Sequence, residues 1–152
     1  VEGKSFVAGN AKAWKYTSGS PNELWSYGGA IYEILKKYLL MRERMRPYVA
    51  ELMTEAHEKG TPLIRPMFYV YPDQREAYEA EDQYMFGKEL LVAPVTEQGM
   101  QEREVWFPEG RWFAVEDGSE VDGGGRAVAK APLNVIPVYA RTKELADLLG
   151  NR

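Results

Sequence analysis

The sequence predicts an α+β protein, with a helical part first and a strand-rich part after it. Over residues 29–59, apolar side chains recur at steps of three and four, which is the period of an amphipathic helix. After Gly60 the pattern changes to short apolar and aromatic runs separated by prolines and glycines, which is typical of strands and turns. Helices and strands do not alternate, so the order favours α+β organisation or two separate parts over a parallel βαβ sheet.

The first elements are a loop and a helical region. Residues 1–26 are rich in Gly, Ser, Asn and Pro without a sustained period, and we expect an irregular loop there. Pro47 lies inside the helical pattern of residues 29–59, which predicts a kink or two abutting helices. Gly60, followed by Pro62, is a typical stop for the helix.

The part after Gly60 should form short strands joined by turns. Prolines at 62, 66 and 72 suit an edge strand or strand ends. The expected elements, in order, are a strand over 62–72, a turn with a short helical piece over 72–87, a buried strand over 89–95, a hairpin over 103–118 with its turn at 108–110, a glycine-rich turn and further strands over 120–141, and a terminal helix or tail over 142–152.

Composition excludes several classes of function. The 152 residues are 45% hydrophobic and 28% charged, which is a globular balance. The net charge of −4 gives no support for binding nucleic acid or an anionic membrane, because both need a basic face. The chain has no cysteine, so it has no disulfide, thiolate metal site or cysteine nucleophile.

Charge is distributed unevenly along the chain. Residues 1–60 carry nine basic and seven acidic side chains, and residues 61–152 carry ten and sixteen, so the net charges are +2 and −6. That split suggests two structural parts, although a solvated acidic face also explains it. The first residue is not Met and no apolar leader follows, which hints at a piece of a longer protein. The location stays unknown; the lack of cysteine and of a leader favours the cytoplasm slightly.

Carboxylates cluster between residues 73 and 82, and paired carboxylates are what glycosidic acid–base chemistry needs. The cluster consists of Asp73, Glu76, Glu79, Glu81 and Asp82. Closeness in sequence does not place two carboxylates face to face, so a solvated acidic turn is the competing interpretation. Asp82 could instead cap a short helix.

Two other motifs give little support for catalysis. His57 is the only histidine and lacks the HExxH spacing, so we interpret it as a surface or capping residue near a helix C-terminus rather than as a general base. Gly123–Gly125 lacks the phosphate-loop pattern and is interpreted as a flexible hairpin turn.

Four tryptophans could stack on a sugar or pack in a core. Trp106 and Trp112 flank the predicted hairpin turn, where cross-strand aromatic packing explains them. Trp14 and Trp25 lie in the irregular N-terminal loop, where core packing and sugar contact are equally good explanations.

Four stretches in one order carry a family resemblance: "RERMRPYVAELMTEAHEKGTPLIRPMF" (42–68), "EDQYMFGKELLVAPVTEQG" (81–99), "REVWFPEGRWF" (103–113) and "NVIPVYAR" (134–141). Together they resemble the C-terminal part of glycoside hydrolase family 31, the α-glucosidases and α-xylosidases. The resemblance covers residues from about 23 to 141.

The resemblance implies that residues 1–60 are a loop and helices from the end of a (β/α)₈ barrel, and that residues 61–152 form an antiparallel β-sandwich. A barrel needs roughly 250 residues, which this chain does not have. The two catalytic aspartates of the family lie on barrel strands upstream of the matched stretches. The resemblance therefore implies no catalytic, substrate-binding or metal-binding residue and no cofactor in this chain.

Two hypotheses of function follow. The first is a C-terminal fragment of a retaining α-glycosidase that hydrolyses α-glucosides or α-xylosides, with this segment structural and the carbohydrate bound by the missing barrel. The 29–59 helical face would then be exposed or buried by self-association, and Trp14 or Trp25 could approach the substrate. The second is an autonomous carbohydrate-binding or interaction module without hydrolase activity.

Overall fold

The computed structural model describes residues 23–150. The chain divides into two compact units, Val1–Leu39 and Leu40–Arg152. A 3₁₀ helix at Leu24–Tyr27 precedes helix α1, Gly29–Arg44, which begins in the first unit and ends in the second. Within the described residues, no helix combines the length and apolarity needed to cross a bilayer.

A second long helix, α2, spans Arg46–Lys59 and is separated from α1 by Met45. Pro47 occupies its second position, where a backbone N–H has no partner inside the helix, so the missing donor costs nothing. Gly60 ends α2 in the left-handed conformation and donates its N–H to the Ala56 carbonyl. Of the two predicted alternatives, a kink or two abutting helices, the structure has two helices separated at Met45.

The described residues after α2, up to residue 150, form eight short strands and three further helices. The strands are β1 Ile64–Pro66, β2 Tyr84–Phe86, β3 Leu90–Val92, β4 Glu102–Phe107, β5 Arg111–Ala114, β6 Glu120–Asp122, β7 Gly125–Lys130 and β8 Val138–Ala140. The helices are α3 Met67–Val70, α4 Glu76–Glu79 and α5 Lys143–Gly150. The terminal helix expected in 142–152 is thus present, and its Ala146 and Leu149 are buried.

The strands make two antiparallel sheets. Six strands pair in the order β1-β2-β3-β8-β5-β6, and β4 pairs with β7. Phe107 of β4 meets the other sheet edge-on at Tyr139, with ring centroids 4.7 Å apart, and also contacts Trp112. Both sheets therefore contribute to one core. The predicted α+β fold, helices followed by an antiparallel β-sandwich, is confirmed.

The predicted 103–118 hairpin is wrong, although its two strands exist. β4 pairs with β7 across six residues, whereas β5 pairs with β6 and β8 in the other sheet. The Pro108 carbonyl accepts a hydrogen bond from the Trp112 indole at 2.8 Å, which fixes the chain as it crosses between sheets. Two apolar runs around a turn indicate strands, but they do not specify which strands pair.

Gly123–Gly125 is likewise not a hairpin turn, because it connects β6 and β7 of different sheets. The Gly123 and Gly124 N–H groups donate to the carbonyls of Gly110 and Phe107. A Cβ atom added at Gly123 would lie 2.0 Å from the Pro108 carbonyl oxygen. Gly123 is therefore needed for close backbone packing beside the β4–β5 crossing.

The strand predicted over 62–72 is shorter than expected. Only Ile64–Pro66 pairs, and the chain then turns into α3, whose end is marked by the Tyr71 N–H donating to the Met67 carbonyl. Pro66 cannot donate to a ladder, which is consistent with pairing ending there.

Residues 82–87, "DQYMFG", were expected to be a turn before a buried strand. They instead contain β2, which forms a hairpin with β3 through the loop Gly87–Glu89. The buried strand expected in 89–95 is β3, and the short helical piece expected in 72–87 is α4. Helix α2 reaches this loop, because the Tyr48 hydroxyl donates to the Phe86 carbonyl at 2.7 Å and accepts from the Glu89 N–H at 3.2 Å.

Candidate functional site

The clustered carboxylates lie on the surface, and two of them make ion pairs. Asp82 lies 2.6 Å from the Arg103 guanidinium, and Glu79 pairs with Arg75 and Arg126. Asp82 follows α4 rather than preceding it, so the predicted capping role is wrong. Within residues 23–150, no three carboxylate or histidine side chains come together as a metal site.

Arg103 shows why Asp82 is needed. Its side chain is 4% exposed and donates to the Asp82 carbonyl at 3.0 Å and to the Pro94 carbonyl. A buried guanidinium without partners would be strongly destabilising, so the carboxylate and the two carbonyls together permit its burial. The contact fixes β4 to the segments on both sides of the β2–β3 hairpin.

The other candidates also lie where a structural role explains them. His57 is exposed in the last turn of α2, as the surface interpretation predicted. Trp106 and Trp112 are buried in the shared core, so core packing is confirmed for both. Trp25 is 71% exposed on the 3₁₀ helix, and Trp14 lies outside the described residues.

Arg141, in the "IPVYAR" stretch, was not predicted to have a role. Its guanidinium stacks on the Trp112 ring at 3.8 Å and donates to the Glu109 carbonyl and the Tyr71 hydroxyl. It therefore connects β8, the β4–β5 crossing and the end of α3. The motif stretch in the sequence marked its position, but nothing there indicated its partners.

A cavity of about 410 Å³ lies between β1, β2, α3 and α4 and is called here the 64–96 cavity. Its lining is mostly apolar. The lining residues used below are Ile64, Phe68, Tyr78, Glu81, Asp82, Tyr84 and Thr96.

An exposed aromatic pair forms one side of this cavity. The Phe68 and Tyr78 rings stack with centroids 5.5 Å apart and planes at 16°. The two residues are 46% and 56% exposed, so the stack is not closed off by the core. The Tyr78 hydroxyl donates to the Pro72 carbonyl at 3.0 Å, which orients the ring. Sequence reasoning missed this pair because its members are ten residues apart on two short helices.

The polar groups of the cavity are acidic or neutral. Glu81 and Asp82 supply carboxylates, Thr96 a hydroxyl and Tyr84 a phenol, and the lining contains no lysine or arginine. Gln83, also in the lining, is occupied elsewhere: its amide donates to the Trp106 carbonyl at 2.8 Å and accepts from the Trp106 N–H at 2.9 Å. The cavity can therefore hold a neutral, partly apolar ligand better than an anion.

Comparison with known proteins identifies the class. Residues 60–144 match the model of the glycosyl hydrolase family 31 C-terminal domain. Among solved structures, a GH31 α-xylosidase from a soil metagenome complexed with xylose is 47% identical, with a TM-score of 0.80 over 84% of this chain and 20% of that chain. A Flavobacterium johnsoniae GH31 dextranase complexed with glucose is 35% identical, with a TM-score of 0.75 over 78% of this chain and 15% of that chain.

Curated relatives agree. Alpha-glucosidase 2 of Bacillus thermoamyloliquefaciens is 33% identical over 78% of this chain and 15% of its own length. An α-xylosidase of Saccharolobus solfataricus is 30% identical over 86% of this chain and 18% of its own length. The chain belongs to glycosyl hydrolase family 31, as the sequence resemblance indicated. It spans less than a fifth of the length of these curated relatives.

Proposed function

We propose that this chain is the C-terminal part of a retaining α-glycosidase acting on α-glucosides or α-xylosides, and that its own role is structural. The observation that carries the proposal is the match of residues 60–144 to the C-terminal domain of the family. The names of the relatives, α-glucosidases and α-xylosidases, support the substrate class. In this proposal residues 1–60 are the end of a barrel. Residues 61–152 are the β-sandwich domain that follows it in the chain.

The chemistry of the described residues supports a structural role. Retention needs a nucleophile and an acid–base carboxylate about 5 Å apart on either side of the scissile bond. Glu79 and Glu104 instead form ion pairs with the same arginine. The Arg126 guanidinium lies 3.4 Å from the Glu79 carboxylate and 2.9 Å from the Glu104 carboxylate. An arginine between two exposed carboxylates is an ordinary surface ion-pair cluster, which explains both carboxylates without a catalytic role.

Exposed apolar side chains on α1 and α2 suggest that another surface covers these helices in the complete protein. In the second unit, Leu40 and Met53 are 51% and 56% exposed, whereas Met41 and Leu52 are buried. Exposed apolar side chains that group into one patch mark an interaction surface. We propose that the barrel covers them, with self-association through the 29–59 face as the alternative.

The test is an assay of the product of the complete coding frame that contains these residues. We expect hydrolysis of p-nitrophenyl α-glucoside or α-xyloside, with the α anomer formed first in an NMR time course because two displacements retain configuration. A β anomer formed first would exclude retention. A complete product without hydrolysis would overturn the proposal and leave the carbohydrate-binding module, which the exposed Phe68–Tyr78 stack favours.

A further inference from the structure

We propose that the 64–96 cavity is a sugar-binding site for one pyranose unit of a neutral α-linked oligosaccharide. The apolar face of the sugar would lie against the exposed part of the Phe68–Tyr78 stack, with its hydroxyls toward Glu81, Asp82 and Thr96. The choice of a sugar over other neutral ligands rests on the proposed function. The existence of the site rests on the geometry alone.

The aromatic pair provides the apolar half of the site. The two rings stack one over the other at 16°, so a ligand meets the exposed outer part of this stack, and each residue keeps about half of its area in contact with water. A pyranose has a flat face of C–H groups that an aromatic face matches, and covering both removes apolar surface from water. Ile64, 59% exposed, extends this surface along β1.

The rim provides the polar half. Carboxylates accept hydrogen bonds from hydroxyl groups, and the threonine hydroxyl both donates and accepts. The lining has no basic side chain, and only Asp82 of its two carboxylates has a guanidinium partner, so a phosphate or carboxylate ligand would meet the uncompensated charge of Glu81. A neutral polyol with one apolar face fits this combination.

The walls of the cavity are held in place before any ligand binds. Arg103 fixes Asp82, Gln83 is bound at both ends of its amide to Trp106, and Tyr78 is oriented by the Pro72 carbonyl. Side chains that are already ordered lose little entropy on binding, which favours measurable affinity from a small contact area. The volume of about 410 Å³ is within the usual range for small-molecule sites.

The experiment is a titration of the ¹⁵N-labelled 152-residue chain with isomaltotriose and maltotriose, followed by amide chemical shifts. We expect saturable shifts confined to residues 64–84 and 94–96, at up to about 10 mM sugar for a weak site. The paired substitution of Phe68→Ala with Tyr78→Ala should weaken binding at least about tenfold. Tyr69→Ala is the matched control, because Tyr69 is half exposed on the same helix as Phe68 but does not line the cavity. The sugar affinity of this variant should stay within about twofold of that of the unaltered chain.

The mapping on the unaltered chain decides the proposal even if the double variant fails to fold. Absence of saturable shifts, or shifts centred elsewhere, such as at Trp25, would overturn it. Equal weakening in the Tyr69→Ala control would do the same. The result is independent of hydrolysis, since a complete product without activity overturns the proposed function while leaving sugar binding at this cavity intact.

Discussion

At the scale of single residues, the side chain of Gln83 makes hydrogen bonds to the Trp106 backbone that a neighbouring strand would otherwise make. Its side-chain amide makes both hydrogen bonds that a neighbouring backbone would make to Trp106, and it is buried while doing so. A side chain used in this way satisfies a buried N–H and a buried carbonyl where the two sheets meet. Losing it leaves both groups without a partner.

Gln83→Ala should therefore lower the free energy of unfolding by about 2–4 kcal/mol, the cost of two unsatisfied buried polar groups. Urea unfolding followed by tryptophan fluorescence measures the change. Gln101→Ala is the control, because Gln101 is exposed beside β4, and it should change stability by less than about 0.5 kcal/mol. Equal effects of the two substitutions would show that the amide of Gln83 does not matter.

Residues that connect distant segments lie within the sequence motifs, but their roles were not predicted. "EDQYMFG", "REVWF" and "IPVYAR" contain Gln83, Arg103 and Arg141, and the structure makes each a connection between distant segments. Each of the three donates to a backbone carbonyl, which any residue type can supply. One sequence therefore does not reveal such partners. Core packing was predicted for Trp106 and Trp112, although the hairpin from which it was argued does not form.

At the scale of elements, the β2–β3 hairpin depends on Gly87. Its φ is 66°, and an added Cβ would lie 2.2 Å from the Tyr48 hydroxyl oxygen and 2.8 Å from the Leu52 methyl carbons. Gly87→Ala should destabilise the chain by well over about 2 kcal/mol, since a clash adds to the left-handed strain. Thermal unfolding monitored by circular dichroism measures it.

Gly99→Ala is the matched control for the hairpin. Gly99 has a φ of 87° but open space around it, so only the strain of about 1–2 kcal/mol applies. If the two alanine variants unfolded at the same temperature, the close approach of α2 to the hairpin loop would be contradicted.

Glu55 links three elements, because its carboxylate lies 3.2 Å from Lys88 in the hairpin loop and 3.4 Å from Arg65 of β1. The hydrogen bond from Lys88, followed by the charges of Lys88 and Arg65, holds the pKa of Glu55 below its ordinary value of 4.5. A depressed folded-state pKa stabilises the native state above the unfolded-state value, and that contribution is lost as pH falls through the folded-state pKa.

Glu55→Gln should therefore lower the urea midpoint at pH 7, and the difference from the unaltered chain should shrink as the pH falls below 4.5. Glu58→Gln, which removes an exposed carboxylate from the same helix, serves as the control. A difference for Glu55→Gln that stays constant from pH 7 to about pH 3 would contradict the linkage.

Element types were largely predictable, whereas strand partners were not. The period of residues 29–59 and Pro47 predicted two helices, and both are present. The runs around residues 103–113 predicted strands but not that they belong to different sheets. Pairing depends on contacts far apart in sequence, and local patterns do not encode them.

At the scale of the whole molecule, the chain is a family 31 C-terminal module with a well-packed sandwich core and exposed apolar residues on its helices. The sandwich satisfies its buried polar side chains internally, since no buried side-chain nitrogen or oxygen in the described part lacks a partner. We therefore expect the sandwich to keep its fold in the isolated chain, and catalysis to require residues beyond it.

Activity of the purified 152-residue chain tests that claim most directly. Incubation with p-nitrophenyl α-glucoside and α-xyloside should release no p-nitrophenol above the uncatalysed rate, because Asp82 and Glu79 are engaged in ion pairs with arginines. Turnover that survives repeated purification and falls in an Asp82→Asn variant would contradict the account, since it would place the chemistry in the sandwich itself.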